Sequence, residues 1–119
     1  MDAREYLIGD EHRPVWLDYP AAYRRLVEQS LVDLRPWHLM TTEEALKKYK
    51  GLQDRYPCRQ LFPFACRQDC DDVACWEREA DEAVKIIHDF ASPGWEDSGE
   101  YPDLWAWFRD AIDETIQWE

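Results

Sequence analysis

The stretch LFPFACRQDCDDVACW, residues 61–76, reads as two β-strands joined by a charged turn, and it sets the frame for the rest of the chain. Its apolar residues come in runs of strand length, QLFPFA at 60–65 and DDVACWE at 71–77, separated by polar residues that favour water. A third run, AVKIIHDF at 83–90, follows another polar link. In it Val84 and Ile86 share a face with His88 and Phe90, while Lys85 and Ile87 point the other way. Three neighbouring strands with short links predict an antiparallel meander.

Upstream of the meander, VDLRPWHLM at 32–40 reads as a further strand through Val32, Leu34 and, less strictly, Trp37 and Leu39. Pro36 has no N–H to give a ladder, so it confines this strand to a sheet edge or splits it. Thr41 and Glu44 have the spacing of a capping box, and the helix they start, ALKKYKGLQDRY, carries Ala45, Leu46, Tyr49 and Leu52 on one face. Gly51 weakens its last turn, and Pro57 lies beyond its end. Earlier still, Pro20 initiates AAYRRLVEQSL, with Tyr23, Leu26, Val27 and Leu31 at helical spacing, and residues 2–8 suit a short helical turn. Downstream, the Pro- and Gly-containing segment ASPGWEDSGEYP reads as a loop leading to Asp103, a cap for LWAWFRDAIDETIQW. That helix buries Leu104, Phe108, Ala111, Ile112 and Thr115, with Trp105 alongside. The expected fold is α+β: a small antiparallel sheet of about four strands, packed on one side by helices and closed by a C-terminal helix.

At 119 residues, with no repeat, low-complexity tract or Gly/Ser linker, the chain reads as a single domain over residues 1–119. Seven Trp, six Tyr and four Phe within a 45% hydrophobic composition supply a core without disulfides or metal and argue against disorder. No stretch approaches the roughly 20 apolar residues of a membrane span, and MDAREYLIGDEHRP has acids where a secretory signal carries a basic and then an apolar segment. A cytoplasmic location and reduced cysteines are the resulting expectations.

Charge is distributed unevenly. Residues 1–68 hold 11 basic and 10 acidic side chains, net +1, whereas residues 69–119 hold 3 basic and 16 acidic, net −13, within a total of −12. A field of that sign repels nucleic-acid phosphates and anionic lipid, and it accelerates encounter with a basic protein. Solubility alone is the other reading of the same acidity.

Chemistry-bearing patterns are weak. Cys66 and Cys70, three residues apart, approach zinc-knuckle spacing, but Cys58 and Cys75 do not complete it, and Cys75 alternates with Val73 as a buried thiol does. Spacing favours structural thiols over a metal site or a redox pair. A cysteine nucleophile needs a histidine to take its proton, and His12, His38 and His88 are the available bases. Asp69, Asp71 and Asp72 lack the Gly and terminal Glu of a calcium loop and read as a solvated turn. No phosphate-cradling Gly loop, GxSxG elbow or HExxH is present. No catalytic, cofactor or metal residue is therefore assigned.

The binding reading rests on acids with an aromatic among them. Asp69, Asp71, Asp72, Glu77, Glu79, Asp81 and Glu82 form one stretch, and Trp95, Glu96, Asp97 and Glu100 form a second. Aromatic anchors within a carboxylate field suit a surface that engages a basic protein. Trp95 folding its loop back onto the core is the competing reading, while Trp37, Trp76, Phe62 and Phe64 are assigned to the core.

These segments resemble the SUKH superfamily, the Smi/Knr-like domains used as bacterial immunity proteins against polymorphic toxins. The similarity is carried by Pro63, Phe64, Ala65, Asp72 and Trp76 in the two central strands, by Pro20 and Tyr23 at a helix start, and by Trp37, Leu39 and Glu44 at a strand-to-helix step. AVKIIHDFASPGW and the helix with Trp105 and Phe108 resemble the family's last strand and C-terminal helix, so the likeness spans residues 15–118. It departs at Gln68-Asp69-Cys70, where the family commonly has a glycine. The resemblance implies a non-enzymatic module that docks on and neutralises a cognate toxin, commonly a nuclease. An acidic inhibitor suits that role, because a nuclease is basic where it meets nucleic acid. Thiol- or metal-dependent catalysis built on Cys66, Cys70 and Cys75, or a regulatory scaffold, are the alternatives.

Overall fold

Six strands lie in one antiparallel sheet in a computed structural model of the chain, which describes residues 3–118. They are β1 (Asp33–Leu34), β2 (Trp37–Leu39), β3 (Leu61–Arg67), β4 (Asp72–Glu77), β5 (Val84–His88) and β6 (Asp97–Tyr101), arranged in chain order. Every neighbouring pair is antiparallel, so the predicted meander β3–β4–β5 forms and is extended on both sides. The count of about four strands is corrected to six. Two physical causes account for the difference. Pro36 splits the 32–40 segment into β1 and β2, two short strands that pair through Asp33↔His38 and Leu34↔Trp37. β6, sequence DSGEY, has no apolar alternation; its pairing with β5, from Val84↔Tyr101 to Ile87↔Asp97, is what makes it a strand.

Helices α1 (Ala21–Glu28), α2 (Thr42–Arg55) and α3 (Leu104–Gln117) complete the α+β fold. Predicted caps form: Thr41 Oγ1 accepts from Glu44 N, Glu44 Oε1 accepts from Thr41 N, and Asp103 Oδ1 accepts from Ala106 N. A 3₁₀ turn at Ala3–Glu5 occupies part of the predicted N-terminal turn.

Packing on one side only is also corrected. Along β4, Ala74 and Trp76 belong to one core and Val73 and Cys75 to another, and alternation puts these on opposite faces. The larger core joins Phe62, Phe64, Trp76, Val84 and Ile86 to Tyr23 and Leu26 of α1 and to Leu104 and Trp107 of α3. The smaller core joins Leu61, Val73, Cys75 and Ile87 to Leu52 and Tyr56 at the end of α2. A strand apolar on both faces needs cover on both, and helices supply it. Phe64 and Trp76 stack at 4.4 Å, Trp107 meets Phe64 at 5.1 Å and Trp37 at 5.6 Å, and Tyr23 meets Trp76 at 5.1 Å. Such ring pairs contribute about 1 kcal/mol each beyond burial. In α3 the fully buried residues are Leu104, Trp107 and Ala111, with Phe108 and Ile112 partly buried, so Trp107 takes the central place that the sequence pattern gave to Phe108.

Candidate interaction surface

The β4–β5 connection, residues 78–83, is a tight turn held by Ala80 N–H donating to Glu77 O and Ala83 N–H donating to Ala80 O. Glu79 (φ 70°) and Asp81 (φ 53°) adopt the left-handed conformation within it. Glycine takes that conformation without strain, and Asp tolerates it better than Glu does. Glu79, Asp81 and Glu82 are exposed, and none has an ion-pair partner among the described residues. Facing them is the segment Trp16–Ala21, which carries Asp18, also exposed and unpaired among the described residues.

A groove of about 460 Å³ lies between the two, lined by buried Leu17, Tyr19 and Trp76 and rimmed by Asp18, Glu79, Asp81 and Glu82. Aromatic packing fixes its walls. Tyr19 stacks on Tyr23 at 5.2 Å and meets Trp76 edge-on at 5.8 Å, and the Tyr19 hydroxyl accepts from Ile8 N. Burial raises the Tyr19 hydroxyl above its ordinary pKa, so it stays protonated. The indole N–H groups of Trp16 and Trp76, both lining residues, have no hydrogen-bond partner among the described residues. Cations also stand near: Arg24 and Arg13 lie 5.6 and 5.9 Å from the Tyr19 ring centre, and exposed Arg78 shares the turn.

The remaining carboxylates singled out in the sequence are placed differently. Asp69 accepts from Arg67 at 2.8 and 3.0 Å, which holds its carboxyl below the usual range. Asp72 is 2.8 Å from His88 Nδ1. Arg59 gathers three acids: Glu77 at 2.8 and 2.9 Å, Glu96 at 3.0 Å and Asp97 at 2.8 Å. Glu100 pairs with Lys85 across β5 and β6. Asp71 is exposed and unpaired among the described residues. Six of the ten acids thus have an internal partner, three of them sharing Arg59 alone, while Asp71, Glu79, Asp81 and Glu82 have none among the described residues.

The β5–β6 loop, residues 89–96, is bracketed by the two buried acids of the described chain, Asp89 at 1% and Glu96 at 6% exposure. Asp89 receives Arg55 Nε and Nη2, Lys48 Nζ and the Phe90 N–H; Glu96 receives Arg59 Nη1 and the Gly94 N–H. Burial by itself would raise both carboxyls, but these donors outweigh it and hold both below their ordinary values. Trp95 is 81% exposed, so it stands in solvent and does not fold back onto the core. Phe90 is likewise exposed in a left-handed conformation (φ 69°), not on the sheet face shared with Val84, because the strand ends at His88.

All four cysteines are free thiols. Cys75 is buried and its thiol is pushed well up by that burial. Cys66 lies 3.1 Å from His38 Nε2, its cross-strand partner, yet burial first and the Glu44 charge second push its thiol up to about 11. No group of three or more His, Cys, Asp or Glu suited to a metal ion occurs among the described residues, and no helix is long and apolar enough to cross a membrane.

Sequence reasoning missed Asp18, Trp16 and the groove itself, because the residues that line it come from segments about sixty positions apart and only the fold unites them. Comparison of the chain with protein-family models, curated proteins and solved structures gives no match in any of the three.

Proposed function

We propose that this chain is a protein-binding module that engages a basic partner through the groove between Trp16–Ala21 and the β4–β5 turn. The observation that carries the reading is the set of open carboxylates, Asp18, Glu79, Asp81 and Glu82, around a concavity underlain by Leu17, Tyr19 and Trp76, in a chain whose other predicted acids largely have internal partners. Open carboxylates project a field that steers a cationic surface, whereas paired ones cancel locally. Leu17, Tyr19 and Trp76, packed beneath the groove, hold its shape rigid for a partner side chain. Glu79 adds a second support, since a strained turn position that glycine would occupy more comfortably is instead given to an acid.

The resemblance to SUKH domains gives this module a specific form: a cytoplasmic immunity protein that docks on and neutralises a cognate basic toxin of the nuclease type, without catalysis of its own. What the chain shares with that resemblance is the α+β class, which by itself carries no function, since one fold serves many. A pull-down from lysate of the source cells tests it, using the tagged chain and the variant Glu79→Gln/Asp81→Asn/Glu82→Gln at low and high salt. A basic protein recovered at low salt by the unmodified chain, released by salt and lost from the variant is the expected result. Equal recovery by both chains removes the turn from the interface.

The alternative, thiol chemistry, is favoured by the 3.1 Å approach of Cys66 to His38 and opposed by the raised Cys66 thiol. Iodoacetamide alkylation of Cys66 separates the two. Binding without catalysis predicts slow reaction at pH 7 that accelerates only toward pH 11; fast reaction at neutral pH supports an activated thiol.

A further inference from the structure

We propose that the cavity between α2 and Phe90 is a binding site for a small anion, a phosphate- or carboxylate-bearing ligand with an apolar portion. It is an open pocket of about 500 Å³, within the range of small-molecule sites. Three of the chain's 14 basic side chains, Lys47, Lys48 and Arg55, line it. This concentration of cations stands out in a chain of net charge −12.

The cations are held in place before any ligand arrives. Asp89, its side chain fully buried, receives Arg55 Nε and Nη2 at 2.7 Å each and Lys48 Nζ at 3.0 Å. This leaves Arg55 Nη1 and two Nζ hydrogens of Lys48 without a protein acceptor among the described residues, and Lys47 is exposed and unpaired there. Asp89 cancels one of the three positive charges, and Glu44 opposes another from the margin while its Oε1 caps Thr41. A net positive charge of one remains for an anion. Cys66 also lines the cavity, and its burial-raised thiol stays neutral and adds no repulsion.

Two costly residue choices fit the same purpose. Glycine inside a helix is destabilising relative to alanine. A Cβ at Gly51 would lie 2.7 Å from Arg55 Nη2 and 3.0 Å from Nη1, so its absence makes room for the guanidinium. Phe90 adopts φ 69°, rare for a bulky residue, and this lays its ring 4.2 Å from the Arg55 guanidinium carbon and 5.2 Å from Lys48 Nζ. The ring is 61% exposed and, with Met40, offers an apolar wall beside the charges.

The test is a titration of the full chain with inorganic phosphate, phenyl phosphate and phenylacetate, followed by amide NMR shifts. Saturable shifts at residues 47–55 and Phe90 are expected, with phenyl phosphate about tenfold tighter than inorganic phosphate if its ring packs on Phe90. Comparison of phenyl phosphate with phenylacetate tells which oxyanion is preferred. Lys47→Glu, an exposed change that leaves the Asp89 cluster intact, is expected to weaken binding about tenfold, and Gly51→Ala to weaken it through the displaced guanidinium. Thermal melts establish that both variants fold. Shifts that fail to saturate by about 10 mM for all three probes, or binding unchanged in Lys47→Glu, overturn the proposal. Neither outcome bears on the acidic groove, which lies on other elements.

Discussion

The two connections that flank β5 both carry acids, yet they use them in opposite ways. In the β5–β6 loop, Asp89 and Glu96 are buried and saturated by Lys48, Arg55 and Arg59, so their charge serves to anchor a loop. In the β4–β5 turn, Glu79, Asp81 and Glu82 are exposed with no ion-pair partner among the described residues, so their charge is directed outward. Net charge therefore says little about where a protein presents its field; pairing decides that. Of the formal −13 of the second half, the β4–β5 turn holds three open carboxylates beside Asp18 of the first half, and Asp71 and the exposed acids of α3 hold others.

The sharpest way to break this contrast is to remove one acid from each region. Asp89→Ala strips Arg55 and Lys48 of their common partner and is expected to cost about 3 kcal/mol, read from the urea midpoint. Neutralising Glu79, Asp81 and Glu82 together is expected to change stability by less than about 0.5 kcal/mol, because exposed unpaired charges contribute little. Comparable losses in both would erase the distinction.

Acid offers a second separation. A carboxyl depressed in the folded state binds its proton more readily in the unfolded chain, so its contribution is complete above the unfolded value and disappears as pH falls through the folded one. For Asp89 that decline starts near the ordinary value of 3.8, and for Glu96 near 4.5. Urea midpoints measured from pH 6 down to pH 2 are expected to hold and then fall below about 4.5, and the fall is shallower in Asp89→Asn.

Smaller effects sharpen the picture. Glu79→Gly relieves a left-handed glutamate and is expected to raise stability by up to about 1 kcal/mol while slowing association with the basic partner. Trp95→Ala removes an 81% exposed ring and is expected to leave stability within about 0.5 kcal/mol.

The legible part of the fold was the part with period. β3, β4 and β5, the Thr41–Glu44 cap and the Asp103 cap each carry a local pattern, and each formed at that pattern, β5 stopping short at His88. β6 carries none, since Asp97-Ser98-Gly99-Glu100-Tyr101 is polar and mostly exposed, and its pairing partner alone makes it a strand. Alternation along AVKIIHDF put Phe90 on the sheet face, but Asp89 draws Arg55 and Lys48 inward and ends the strand first. The acids of the candidate surface were legible as composition, not as a site. Which of them are free depends on where Arg59, Arg67 and Lys85 reach, and no local pattern encodes that.

An amide and indole NMR titration of the chain with a Lys/Arg-rich peptide, at low and then physiological salt, tests the acidic groove most directly. Shifts concentrated at residues 79–82, Asp18 and the indole signals of Trp16 and Trp76, weakening with salt, are the predicted result. Shifts centred on Asp71 or on α3, or spread evenly over the acidic half, would contradict it.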